Sequence, residues 1–301
     1  MVDHVVECFA PLPANGRICD ATLGGGGHTA RLLELCPSCT LIAIDADQMM
    51  VQRAEARFGR EPRLSIVHGW FDEVLGDLNG LDRIIMDVGV SMFHLKEPER
   101  GFSVRDDGPL DMRLDARGNG ETAEALLRRL NEPELADVIF RYGEERYARR
   151  IARAIVRERG VGIATTERLA DIVRRAVPPE YRRGRNHPAT RTFQALRIAV
   201  NDELGRLERA IPRAARALAP RGRLAVISFH SLEDRIVKHT FRRLAGRSTD
   251  DAERPMYEDM GCFRVVTRKP LVPSEDEVRL NPASRSAKMR VLERDEGELG
   301  R

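Results

Sequence analysis

The chain has 301 residues, 42% of them apolar, with 50 Lys and Arg against 47 Asp and Glu and a formal net charge of +3. At ~100–200 residues per domain, this length predicts one large domain or two smaller ones, and the apolar share suffices for a core, which excludes disorder as the overall description. No run of ~18 uncharged apolar residues occurs, so no membrane span is expected. Met1-Val2-Asp3-His4 lacks the basic-to-apolar step of a secretion signal. The cysteines, Cys8, Cys19, Cys36, Cys39 and Cys262, are odd in number and sparse, which predicts free thiols, a reducing compartment and a cytoplasmic chain.

The strand and helix signals alternate over the first hundred residues. Arg17–Thr22 reads as a strand, followed by a glycine cluster and a helix from about Thr29 to Leu35. Leu41–Asp45 is a second strand, Gln48–Phe58 a helix, Leu64–His68 a third strand and Asp82–Val88 a fourth, apolar on both faces as a buried parallel strand is. Such alternation implies right-handed βαβ units in an open parallel sheet. From about Asp107 to Leu207 little reads as strand. Asn131-Glu132-Pro133-Glu134 starts a helix, Arg-laced helices are expected over Glu144–Glu158 and Glu167–Ala176, and Thr192–Ala217 is helical until Pro212 interrupts it.

Strands resume with Leu224–Phe229, then a helix opened by a capping box of Ser231 and Asp234, then Phe263–Thr267 and Lys288–Leu292. The expected organisation is therefore an α/β domain from residues 1–106 and 208–301, interrupted by a helical insertion over 107–207. Charge is uneven across it: Arg141–Arg197 holds 15 Arg against 6 Asp and Glu. Solvated helix faces and a polyanion-binding face both account for that excess.

The strongest local signal is Asp20-Ala-Thr-Leu-Gly-Gly-Gly-Gly-His28, directly after the first strand. Glycines there permit a tight turn and close approach of a ligand to the backbone, and Asp45, ending the next strand, suits a carboxylate accepting from ribose hydroxyls. The run lacks the Gly-Lys-Ser/Thr ending of a P-loop and departs from the dinucleotide pattern, so an adenosine cofactor fits better than a nucleoside triphosphate or a pyrophosphate dinucleotide. Asp87-Val-Gly-Val-Ser91 ends the fourth strand, where Asp87 reads either as a loop cap or as a group beside that ligand. Cys36-Pro-Ser-Cys39 has half the spacing of a zinc site without a second half, and His230, Glu233 and Asp234 are better explained by helix capping than by a metal. No metal site is expected. Phe71, Phe93, Phe102 and Phe229 follow strands and are core residues or, exceptionally, stacking surfaces for a base.

Longer motifs give a resemblance. Besides the two above, the chain carries Glu99-Arg-Gly-Phe-Ser103 continuing to Gly108-Pro-Leu-Asp-Met-Arg113, and Tyr142-Gly-Glu-Glu-Arg146. Further along come His187-Pro-Ala-Thr-Arg-Thr-Phe-Gln-Ala195, Ser228-Phe-His-Ser-Leu-Glu-Asp-Arg235, Asn281-Pro282 and Arg285-Ser286. In that order, over almost the whole length, they resemble the bacterial S-adenosylmethionine-dependent methyltransferases that modify the N4 amine of a cytidine in 16S rRNA of the small ribosomal subunit.

The resemblance implies a class I, Rossmann-like methyltransferase sheet, mostly parallel, with a helical insertion that recognises substrate. It implies S-adenosylmethionine lined by Gly26, Gly27 and His28, its ribose on Asp45, its adenine against Phe71, and Asp87 beside both its methionine part and the entering amine, as the catalytic residue. His94 stands where the family usually has a Gln touching the cofactor, and Lys96 where it usually has an acid. The family's N-terminus usually runs several residues further upstream. On the substrate side, His187 and Arg191 are expected near the target nucleotide, with Ser228 and His230 across the site. The implied partner is 16S rRNA within the small subunit; no residue specifies an oligomeric state, and a homodimer is compatible with the sequence. A DNA amino-methyltransferase would display an Asn/Asp/Ser-Pro-Pro-aromatic motif, which Asp87-Val-Gly-Val is not, and a small-molecule methyltransferase would not need the basic insertion. A non-enzymatic RNA-binding protein would not need the glycine loop, Asp45 and Asp87.

Overall fold

The alternation of apolar runs and helical stretches becomes a seven-stranded sheet in the computed structural model, which describes residues 1–184, 186–246 and 262–296. The chain begins α1 (Val2–Phe9), β1 (Arg17–Asp20), α2 (Gly27–Leu35), β2 (Thr40–Asp45), α3 (Gln48–Phe58), β3 (Leu64–His68), α4 (Phe71–Val74) and β4 (Leu81–Asp87). A run of helices follows: α5 (Met92–Lys96), α6 (Ala123–Arg129), α7 (Glu132–Gly143), α8 (Ala148–Glu158), α9 (Thr166–Ala176), α10 (Pro179–Arg182), α11 (Thr190–Asn201) and α12 (Glu203–Ala217). The remainder is β5 (Leu218–Ser228), α13 (Ser231–Leu244), β6 (Phe263–Val265), α14 (Glu275–Leu280) and β7 (Lys288–Arg294). No helix among the described residues is long and apolar enough to cross a membrane.

The strand order is β3-β2-β1-β4-β5-β7-β6. The first five strands are parallel and β7 runs antiparallel to both β5 and β6. This is the Rossmann-like, mostly parallel sheet expected. Its middle strands are covered on both faces: Ile84, Ile85 and Met86 of β4 are fully buried in succession. The order reverses between β1 and β4, and beyond the carboxyl ends of such a pair an open α/β sheet leaves a crevice for ligands.

Two compact units make up the chain, Met1–Gly89 with Leu204–Arg301, and Val90–Glu203. The first contains the sheet. The second has its own core, in which Ala148, Ile151, Ala152 and Ile155 put one face of α8 against Leu169, Ile172 and Val173 of α9. The segment before α6 belongs to this core through Phe102, Leu110 and Met112, and Leu110 N–H donates to Ala164 O at 2.9 Å. Long-range pairing of this kind, which local periodicity does not encode, draws residues 90–106 into the helical unit.

Several local expectations need correction. The helix read over Glu144–Glu158 starts only at Ala148, because Glu144 adopts φ +49° and closes α7 one turn before α8 begins. The break in Thr192–Ala217 falls at Asp202, also at φ +49°, while Pro212 lies inside α12. Aspartate tolerates the left-handed conformation, and the carbonyl that Pro212 leaves without a donor belongs to exposed Glu208. Cys36 and Cys39 are not free thiols: a tight turn brings their Cα atoms to 5.4 Å and they form a disulfide. Cys8, Cys19 and Cys262 are free.

Candidate active site

β1 ends on Asp20, which is fully buried and accepts a hydrogen bond from Thr29 Oγ1 of α2 at 2.7 Å. The chain between them is held by its own backbone and by β2. Leu23 N–H donates to Ile44 O at 2.8 Å, Gly24 N–H to Asp45 Oδ2 at 2.7 Å, and Gly26 N–H to Leu23 O at 2.7 Å. Gly26 sits at φ +71°, and a Cβ there would lie 2.8 Å from the Phe58 ring, so both conformation and space require glycine. Gly27 opens α2, and a Cβ on it would meet nothing within 4 Å. The space beside Gly27, where the chain enters α2, is therefore open.

Asp45 ends β2, as expected. Besides holding Gly24, its carboxylate accepts from Asp47 N–H at 2.8 Å. Phe71 opens α4 after β3 and packs partly against the sheet core. Its neighbour Asp72 is buried and anchored to α12, accepting from Arg206 Nη1 at 2.7 Å and Arg209 Nε at 3.0 Å. The Arg206 guanidinium also lies 3.8 Å from the Trp70 ring centroid. Asp72, Arg206 and Arg209 were not singled out by sequence, because nothing local links residues so far apart.

Asp87 ends β4. Its N–H donates to Thr22 Oγ1 at 2.6 Å, tying this strand end to the loop after β1. Its Oδ2 lies 3.8 Å from His28 Nδ1, while Asp87 Oδ1 and His28 Nε2 are both buried without a hydrogen-bond partner. Burial pushes the Asp87 carboxyl up to about 6, partly opposed by His28 and reinforced by the carboxylates of Asp20 and Glu233.

β5 ends on Ser228, buried, its hydroxyl donating to Lys288 O at 3.3 Å. The capping box that follows is shifted by one residue from the expected Ser231 and Asp234. His230 is the cap, its Nδ1 accepting from Glu233 N–H at 3.4 Å, and Glu233 Oε2 accepts from His230 N–H at 3.2 Å and Phe229 N–H at 2.8 Å. Asp234 instead takes Arg290 of β7, at 2.7 and 3.2 Å. Glu233 is thus a buried carboxylate within electrostatic reach of Asp87, with its Oε1 3.1 Å from His230 Nε2. No group of three or more His, Cys, Asp or Glu among the described residues could hold a metal ion.

His94, His187 and Arg191 belong to the second unit. His94 is buried and closes a capping box on α5, its Nδ1 accepting from Ser91 N–H at 3.1 Å, with its ring tilted on Phe102. His187 Nδ1 accepts from Ala189 N–H at 3.2 Å, and burial beside Arg174 and Arg105 holds the ring below the usual histidine range, so it is neutral at pH 7. Arg191 is exposed on α11 and donates to Glu144 O at 2.9 Å.

Residues 1–295 match the MraW methylase family. The chain belongs to that family. It is 45% identical over 307 aligned residues to a protein of Granulibacter bethesdensis named ribosomal RNA small subunit methyltransferase H, covering 97% of this chain and 90% of that one. A protein of the same name from Synechococcus is 48% identical, with 98% and 94% covered. An rRNA methylase from Streptococcus thermophilus of known structure has a TM-score of 0.42 at 11% identity, covering 98% of this chain and 93% of that one. The methylase is a class I methyltransferase and its cofactor is S-adenosylmethionine. The residues fit that group on the methylase's own geometry. A glycine turn faces open space beside a ribose-type carboxylate, and two buried polar atoms, His28 Nε2 and Asp87 Oδ1, still lack partners.

Proposed function

We propose that this methylase transfers a methyl group to the exocyclic N4 amine of a specific cytidine in the decoding region of 16S rRNA, within the small ribosomal subunit and in the cytoplasm. The observation that carries the chemistry is Asp87: a carboxylate at the switch point of the sheet with one oxygen buried and unpartnered. The family and the names of its relatives, which are small-subunit rRNA methyltransferases, support the substrate.

A cytosine amine is a poor nucleophile because its lone pair is delocalised into the ring. S-adenosylmethionine supplies an electrophilic methyl group on a sulfonium. In this reading Gly26, Gly27 and His28 bind that cofactor, Asp45 takes its ribose hydroxyls, Phe71 lies against its adenine and His94 is a further cofactor-binding residue. Asp87 accepts an amine hydrogen, which localises the lone pair and orients it, and the proton lost on methylation leaves along that hydrogen bond. Ser228 and His230 flank the base, and His187 and Arg191 hold the nucleotide. The base must leave its stack to be reached, which costs little in an unpaired loop.

The test is transfer of labelled methyl from S-adenosylmethionine to small subunits from unmethylated cells, naked 16S rRNA and duplex DNA offered in parallel, followed by nucleoside digestion. Label in N4-methylcytidine from the subunits is expected. Transfer to none of the three, with cofactor binding intact, overturns the substrate.

A further inference from the structure

Some arginines of the second unit are held in ion pairs and others are not. Arg141, Arg153, Arg168, Arg174, Arg175 and Arg197 each pair with a carboxylate of the same unit. Arg146, Arg149, Arg150 and Arg191 are exposed and form no ion pair with the described residues. The first three surround the start of α8, and Arg191 reaches back to the carbonyl of Glu144 at the end of α7. Four exposed arginines without an ion pair among the described residues are thus associated with the passage from α7 to α8.

That junction is also where the unit places two of the chain's four tyrosines. Glu145 is fully buried there and accepts from Tyr147 N–H at 2.9 Å and from the Tyr181 hydroxyl. The carboxylate fixes the two rings edge to face, with centroids 5.1 Å apart. The Arg146 guanidinium lies over both, 4.8 Å from the Tyr147 centroid and 5.2 Å from that of Tyr181. Arg191 stands close enough, with Arg146, to act on the Tyr181 hydroxyl electrostatically.

We propose that Arg146, backed by Tyr147 and Tyr181 and flanked by Arg191, is a stacking platform for an unpaired nucleotide of the RNA substrate. The proposal rests on the rRNA reading above and adds a site to it. A guanidinium is planar and weakly hydrated, so its open face receives a base while its charge and that of its neighbours meet phosphates. The aromatic backing holds the plane in place without a carboxylate to neutralise it. An acidic peptide would use the charge but not the plane. A single-stranded nucleic acid uses both.

The variants are Arg146→Lys, which keeps the charge and loses the plane, and Arg146→Ala, which loses both. The residue is exposed, so both fold, and thermal melting checks this. Two quantities are read: KM for unmethylated small subunits, and the fluorescence of 2-aminopurine in a single-stranded oligoribonucleotide, which is quenched on stacking. Both variants are expected to raise the subunit KM at least about 10-fold and to lose the quench, with KM for S-adenosylmethionine within about twofold of wild type. If Arg146→Lys matches wild type while Arg146→Ala does not, the site binds by charge alone and the platform is wrong. If both match wild type it is wrong outright, while methylation of subunits by the wild type keeps the rRNA reading. If the wild type itself neither methylates subunits nor binds the oligonucleotide, the rRNA reading fails and the platform with it.

Discussion

Asp87 Oδ2 stands 3.8 Å from His28 Nδ1, and the remaining polar atom of each side chain is buried without a partner. Unpaired buried polar atoms are costly, so their pairing across the switch point of the sheet is a feature of a site that another molecule completes. Asp87→Asn keeps the shape but gives up the charged acceptor. Turnover at saturating cofactor and substrate is expected to fall about 100-fold or more, in line with loss of one preorganised transition-state contact. Because the carboxyl of the free methylase ionises near pH 6, wild-type kcat/KM should drop as pH falls through about 6.

The same shift has a consequence for stability with the opposite sense. Asp87 is raised from 3.8 to about 6 on folding, so its contribution is fully present below about 3.8 and is lost as pH rises through about 6. At pH 8 the ionised carboxylate costs up to about 3 kcal/mol. Asp87→Asn should therefore melt at higher temperature than wild type at pH 8 in the absence of cofactor, with the gap closing below pH 4. Equal melting temperatures at pH 8 would show that the carboxylate is not strained by burial.

Gly26 and Gly27 are neighbours with opposite requirements. At Gly26 a methyl group meets the Phe58 ring at 2.8 Å on a backbone with φ +71°, so Gly26→Ala is expected to destabilise the fold by about 1–3 kcal/mol. At Gly27 the space is open, and Gly27→Ala should fold with near-wild-type stability. Any loss of S-adenosylmethionine affinity in Gly27→Ala, measured by calorimetry, then reports the ligand's approach to the backbone. Unchanged affinity would move the cofactor away from this turn.

Asp72 joins α4 to α12 through a buried carboxylate on Arg206 and Arg209. Asp72→Ala removes the buried anion of Arg206 and leaves that guanidinium, stacked on Trp70, with the exposed Glu73 carboxylate at 3.1 Å. The expected loss is about 3 kcal/mol in urea unfolding, the low end for a broken buried pair because Arg209 is 45% exposed. On the proposed contact of the adjacent Phe71 with the adenine, cofactor KM should rise as well.

The features of the fold and of the candidate site that are local in sequence were legible in it. The glycine turn after β1, Asp45 and Asp87 at strand ends, and the Asn131–Glu134 capping box follow from spacing and residue type. What escaped depends on distant partners. Ser231-x-x-Asp234 satisfies a capping signature as well as His230-x-x-Glu233 does, and the choice is made by Arg290, 56 residues away, which takes Asp234. Pro212 reads as a helix breaker, yet the break belongs to Asp202, whose left-handed backbone no composition rule demands. The buried Glu145 between two tyrosines looks in sequence like one more acid in a charged helix.

His94 provides a test of how far capping and cofactor roles can be separated. Its Nδ1 accepts Ser91 N–H at 3.1 Å while Ser91 Oγ accepts Phe93 N–H at 3.3 Å, so the imidazole does what a Gln side chain does in a capping box. His94→Gln should keep the cap and unfold within about 0.5 kcal/mol of wild type, whereas His94→Ala exposes the Ser91 N–H and leaves a void beside Phe102, costing about 1–2 kcal/mol. If the side chain also touches the cofactor, His94→Ala weakens S-adenosylmethionine binding beyond the stability loss and His94→Gln does not. Equal affinity in all three proteins would confine His94 to holding the turn after β4.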